Sequence, residues 1–196
     1  VKPLTARQQD MLRELANLGS AQAASMLARL VGDVGVLVDV PMVQAATPRQ
    51  LNWLFGGSDL EVLAVTFGLE GALKGQLWWV LKADDAERLG QRLLARPGVS
   101  GPLSSSATEA LAEAANIVAS ACLSTLGNVV KAGVLPTPPT IVDGPVGELA
   151  ERFAALGERT VLSATFMSTN APVFGGWLVV LLDEASTEAT VARLGR

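Results

Sequence analysis

Glu14-Leu15-Ala16-Asn17-Leu18 and, 99 residues further on, Glu113-Ala114-Ala115-Asn116-Ile117 are two versions of one segment. At the same offset Ser25 falls on Ser124, Leu27 on Leu126 and Val31 on Val130. A second block aligns at an offset of 100, where Gly75-Gln76-Leu77-Trp78-Trp79-Val80-Leu81 meets Gly175-Gly176-Trp177-Leu178-Val179-Val180-Leu181. A drift of one residue between the blocks is what a loop insertion produces. The 196 residues therefore read as one domain built from a duplicated unit, 1–98 and 99–196.

Each unit carries the same order of elements. A long helix comes first, Ala6 to Val31 and Thr108 to Lys131, each with a capping-box pattern ahead of it: Thr5 with Gln8, and Ser106 with Glu109. A strand follows, Val36 to Val43 and Thr137 to Val142. Pro41 in the one, and Pro136, Pro138 and Pro139 beside the other, restrict these strands to edge or irregular pairing. A short loop-helix segment then leads to a hairpin, Glu61–Phe67 with Leu73–Lys82 and Thr160–Ser168 with Phe174–Leu182, with Gly71 and Asn170-Ala171-Pro172 in the turns. A helix closes each unit, Asp84 to Ala95 and Glu184 to Leu194. The second arms of the hairpins are apolar at nearly every residue, as central strands covered on both faces are. The expectation is an α+β fold: one six-stranded, mostly antiparallel sheet flanked by helices, with a pseudo-two-fold axis relating the halves. Gly144–Leu156 and Arg96–Ser105 read as mobile connectors, the latter marking the junction between repeats.

Composition removes several functions. Hydrophobic residues make up 49% and charged residues 17%, ample for a packed core. The most apolar runs, Leu77–Leu81 and Trp177–Leu182, are strand-sized, and Val1–Asp10 lacks the apolar stretch of a secretory signal. A net charge of −4 without a Lys/Arg cluster speaks against nucleic acid. The lone Cys122 forbids an internal disulfide and, on an apolar helical stretch, reads as packing. There is no histidine. A zinc site or a Ser-His-Asp triad cannot be built, so any chemistry must come from carboxylates, amides and hydroxyls or be borrowed from a partner.

The long helices carry such groups. At about 100° per residue, Asp10, Glu14 and Asn17 share one face of the first helix, opposite Met11, Leu12, Leu15, Leu18, Met26 and Leu30. Glu109, Glu113 and Asn116 repeat this on the second, opposite Leu111, Ala114, Ile117 and Val118. Small residues follow on the same face, Ala21 and Ser120, leaving room for another molecule. A polar exposed face is ordinary in itself. Asn, however, is a mediocre helix former, and it stands mid-helix in the same register of both copies, which favours function. Trp78, Trp79 and Trp177 lie in strands that read as buried, so they suit core packing better than a ligand platform.

The pattern Asp10-x3-Glu14-x2-Asn17, with 23 residues between Asn17 and Pro41, resembles the signature of the CheC/FliY/CheX phosphatases of bacterial chemotaxis. The second copy has Glu113, Asn116 and Pro139 with 22 between, and Glu109 where Asp or Ser is usual. The resemblance covers the whole chain, and two copies are similar to CheC rather than CheX. It implies a cytoplasmic phosphatase whose substrate is the phospho-aspartate of a CheY-like response regulator. The regulator would supply Mg²⁺ and a Lys, so no metal of the chain's own is implied. A carboxamide can accept from water and donate to a phosphoryl oxygen, so Asn17 and Asn116 would position the water. Glu14 and Glu113 would pair with the regulator's Lys and set the docking register. The same resemblance leaves a non-catalytic adaptor open, one that binds a response regulator, a flagellar switch component or the deamidase CheD.

Overall fold

The computed structural model describes residues 3–32, 34–39, 41–95, 103–170 and 173–195. The chain runs α1 (Ala6–Leu30), β1 (Val36–Val38), β2 (Met42–Ala46), α2 (Pro48–Phe55), β3 (Glu61–Gly71), β4 (Gly75–Lys82) and α3 (Ala83–Leu93). The same order then returns in α4 (Ser105–Val130), β5 (Val134–Pro136), β6 (Thr140–Pro145), α5 (Val146–Leu156), β7 (Arg159–Ser168), β8 (Gly175–Leu182) and α6 (Glu184–Leu194).

All strands join one antiparallel sheet in the order β1-β7-β8-β4-β3-β5, with β2 also on β7 and β6 also on β3. The expected six positions are present, but each outer strand is broken in two, which makes eight strands. The break comes at proline, which has no N–H for the ladder. Pro41 stands directly before β2, and Pro139 directly before β6.

The halves exchange these outer strands. Val43 of the first half pairs with Leu162, and Val142 of the second with Ala64. At the centre Trp78 pairs with Val179 and Trp79 with Leu178. A shift of 100 residues turns one of these pairs into the other, which puts the pseudo-two-fold axis between β4 and β8.

Alternation along the central strands feeds two cores. Leu77, Trp79, Leu81, Phe166, Leu178 and Val180 face α1, α3 and α4. Trp78, Val80, Val179 and Leu181 face α2 and α5. The continuous apolar runs of β4 and β8 follow from this double cover. Trp78 packs edge-on against Phe153, and Trp177 against Phe55 at 5.3 Å between ring centroids. Trp78 and Trp79 are buried and Trp177 is half-buried.

Several local expectations change. Within Gly144–Leu156, residues Val146–Leu156 form α5 rather than a mobile connector. Val146, Leu149, Ala150 and Phe153 recur at helical spacing and are all buried, each large one contributing about 1.5–3 kcal/mol. Of Arg96–Ser105, residues 96–102 lie outside the described residues, as do Ala171 and Pro172 in the second hairpin turn. The second long helix starts at Ser105 and is capped by Ser104, whose hydroxyl accepts from the Ala107 N–H, rather than by Ser106. The Thr5–Gln8 capping box is present, and a second one, Thr47 with Gln50, opens α2. By length and composition α4 could cross a membrane. Its apolar side, from Leu111 through Val118 and Leu123 to Leu126, is core.

Candidate functional site

Helix α1 is pinned by Leu12, Leu15, Ala23 and Leu27, and α4 by Leu111, Ala115, Val118, Cys122 and Leu126, all buried against the sheet and each other. The helices approach closely where Gly19 meets α4: a Cβ there would stand 3.0 Å from both Cys122 Sγ and Leu126 Cδ2. Burial pushes the Cys122 thiol up to about 12, so it stays protonated and packs as an apolar group.

The buried sides fix which residues face out. Glu14 and Asn17 are exposed on α1; Glu113 is exposed and Asn116 half-buried on α4. Within each pair the side chains lie one turn apart, with Cβ atoms about 5–6 Å from each other. Among the described residues none of the four side chains makes a hydrogen bond or ion pair. Each carboxylate and carboxamide is therefore free to engage another molecule. The structure thus brings Glu14 together with Asn17, and Glu113 together with Asn116, as two separate pairs on two helices.

The surroundings differ. Beside Glu14, Arg13 binds Asp10 at 2.6 Å, a pair with both members solvent-exposed, which contributes little to stability but neutralises Asp10. On α4 the residue aligned with Arg13 is Ala112, so the exposed Glu109 and Glu113 stand without a cation between them. Leu18, expected on the buried side of α1, is 42% exposed next to Asn17. The reason is geometric: Leu18 lies at the margin of the apolar arc, while the close approach at Gly19 fills its centre.

Beyond Asn116 the outward face of α4 continues into a groove of about 570 Å³ between the helix and the turn into β5, lined by Ser120, Ser124, Gly127, Asn128, Lys131 and Leu135 among others. Ser120 continues the polar stripe already read from the sequence, but the groove depends on how the turn after α4 folds back. Lys131 had a usable signal: it aligns with Gly32 of the first copy. Among the described residues no three carboxylates or thiols come together that could hold a metal ion.

Fold and surface together define a class: a pseudo-symmetric α+β protein that offers solvent the same carboxylate–carboxamide pair from each of two core helices. No protein-family model matches the chain. It is 26% identical over 200 residues to the CheY-P phosphatase CheC of Bacillus subtilis (strain 168), across 96% of this chain and 94% of that protein. Thermotoga maritima FliY superposes on it with a TM-score of 0.78 at 17% identity, covering 99% of this chain and 98% of that one. A chain of the CheX-CheY-BeF3-Mg+2 complex from Borrelia burgdorferi matches with a TM-score of 0.57 at 15% identity, over 87% of this chain and 97% of that one. In sequence this chain is similar to CheC, and in fold it is similar to FliY and to the chain of the CheX-CheY complex.

Proposed function

We propose that this chain hydrolyses the phospho-aspartate of a CheY-like response regulator in the cytoplasm, working from both long helices. The observation that carries the reading is the recurrence, in both halves, of a Glu–Asn pair one helical turn apart, turned outward and without a hydrogen-bond or ion-pair partner among the described residues. The name of the Bacillus subtilis relative and the presence of CheY with CheX in the Borrelia complex support it.

Hydrolysis of an acyl phosphate needs a water held in line with the leaving carboxylate and cover for the phosphoryl charge. The regulator's Mg²⁺ and Lys supply the charge cover. Asn17 or Asn116 accepts a hydrogen bond from the water through its carboxamide oxygen and donates from its nitrogen to a phosphoryl oxygen. The water oxygen bonds to phosphorus as the bond from phosphorus to the aspartyl oxygen breaks. The regulator's Asp departs as a carboxylate, and the water's proton leaves with inorganic phosphate. Glu14 and Glu113 pair with the regulator's Lys and hold the helix in register.

The test is a single-turnover assay of phosphorylated regulator with Mg²⁺, with and without this protein. Faster loss of the phosphoryl group, abolished in the Asn17→Ala/Asn116→Ala double variant, is the expected result. Binding of the phosphorylated regulator without faster loss would identify an adaptor instead.

A further inference from the structure

Position 131 is where the two copies of the long helix part company. Gly32, at φ +86, follows the cap residue Val31 of α1, and the aligned residue in the second copy is Lys131, itself the cap of α4, at φ 52 and ψ 45. A left-handed backbone is free for glycine and costs energy for a lysine. In the second copy that strained position carries an exposed cation that forms no ion pair among the described residues.

Lys131 stands at one end of the groove on α4, and no acidic residue lines that groove. Its floor, Ser120, Ser124 and Gly127, has no long side chain, and Asn128 adds an amide. From Glu113 the outward face therefore runs through Asn116 and the two hydroxyls to Lys131, about 27 Å at 1.5 Å per residue. It passes from unopposed carboxylates, through neutral polar groups, to an unopposed cation.

The geometry points to a docking groove for an acidic segment of the same receiver domain whose active site meets Glu113 and Asn116, with Lys131 as the distal anchor. The inference rests on the functional reading above. The occupant follows from charge: in a chain with 19 acidic and 15 basic side chains, this is a concave surface with a cation and no carboxylate, continuous with the Glu113–Asn116 pair. A bipolar stripe also gives docking a direction, because a receiver domain turned end for end would set carboxylate against carboxylate. The first copy has Gly32 at this position, with the Arg92 guanidinium beside it and its Nε–H donating to the Val31 carbonyl, so the two faces carry their cations on different elements.

The test measures affinity for a CheY-type receiver domain loaded with beryllofluoride and Mg²⁺, in a Glu14→Arg/Asn17→Ala background that disables the first face. Lys131→Glu should weaken binding about tenfold or more, and Lys131→Gly about threefold, both effects shrinking as salt rises. Lys131→Gly relieves the backbone and should raise the melting temperature, so a loss of binding there is not a loss of fold. Arg152→Glu, the same charge change on the exposed face of α5, should stay within about twofold. If Lys131→Glu behaves like Arg152→Glu, the groove does not dock the regulator, whether or not hydrolysis is observed. If affinity falls as expected but no phosphate is released, the groove stands and the phosphatase reading falls. If the background protein does not bind the loaded domain at all, the groove proposal is overturned. The parent protein then decides the other reading: binding and hydrolysis there keep it, and absence of both removes it.

Discussion

The outward faces of α1 and α4 carry the same two functional groups in different settings. On α1, Arg13 covers Asp10, Asn17 is exposed and the cap residue Val31 is followed by a glycine. On α4, Ala112 replaces the arginine, Asn116 is half-buried and the helix ends at a lysine beside a groove. Glu14 and Glu113, Asn17 and Asn116 are what the copies kept; charge cover and the far end of the stripe are what changed. Chemistry that depends on two groups one turn apart tolerates no substitution, whereas the surface around them can diverge as long as a partner still docks. On the function proposed above, the comparison assigns the two faces one reaction and different recognition.

The comparison breaks most visibly if the shared groups are removed together. Asn17→Ala with Asn116→Ala should lower the single-turnover rate by about 100-fold or more, the order of effect expected when a reacting water loses its positioning group. Circular dichroism should remain unchanged, since neither side-chain amide hydrogen-bonds to another of the described residues. A double variant with the parent rate would end the Glu–Asn mechanism for this protein.

A second asymmetry lies underneath, at the crossing of the two helices. Gly19 admits Cys122 and Leu126, while the aligned residue on α4 is Val118. Gly19→Leu should therefore destabilise the fold by about 1–3 kcal/mol through overpacking, read as a lower urea midpoint. Alkylation of Cys122 checks the same contact. The raised pKa and burial keep the thiol silent in the native protein, so iodoacetamide labelling should require unfolding and should quicken in Gly19→Leu. Because the folded pKa lies above the unfolded one, the contribution of this thiol to stability is complete below the unfolded value and declines as pH rises through it toward 12. Cys122→Ala should flatten that alkaline decline.

Much of this was legible in the residues because duplication supplies its own control. The periodicity of α1 and the alternation feeding two cores through Trp78 and Trp79 are local patterns, and the recurrence of Asn17 as Asn116 in the same register is what singles these amides out from other polar residues. The exchange of outer strands was not legible. Whether Val43 pairs within its own half or with Leu162 of the other depends on tertiary assembly, and no short-range pattern encodes it. For α5 the obstacle is different: Gly144 and Pro145 are turn-forming residues, while Val146, Leu149 and Phe153 just beyond them have helical spacing. The groove could not be seen because it depends on how the turn after Lys131 folds back on Gly127. Asn116 and Asn17 hold the same register in the two copies, and only the structure shows one more covered than the other.

The roles within each pair sharpen the comparison further. If the carboxylate docks and the amide positions water, the two should fail in different ways. Glu113→Ala should weaken binding of the beryllofluoride-loaded regulator by about tenfold and reduce its salt dependence, while Asn116→Ala should leave affinity within about twofold and lower turnover at that face. Glu14→Ala should have the smaller effect of the two glutamates, because Arg13 already places a cation near the first face. Equal losses of binding and turnover for Glu and Asn would mean that the roles are wrongly divided.

The smallest expected effect is the most informative about independence. The pairs sit on separate helices, each turned outward, and among the described residues none of their side chains hydrogen-bonds to the other half. At saturating phosphorylated regulator, Asn17→Ala and Asn116→Ala should each leave a substantial fraction of the parent rate, a loss of about twofold if the faces are matched, and the two residual rates should add up to that parent rate. The halves should then separate when the regulator is limiting. With Asn17→Ala only the α4 face turns over, and its groove and uncovered carboxylates predict the lower KM and the steeper dependence on salt. With Asn116→Ala only the α1 face works, with a higher KM and a shallower salt dependence. Residual rates that sum to much more or less than the parent rate would show that docking at one face affects the other. One single variant without activity beside one with full activity would make this a one-site enzyme carrying a silent copy. If both variants show the same KM and the same salt dependence, the differences at positions 13, 32, 112 and 131 do not touch recognition, and the contrast between the two faces has no functional meaning.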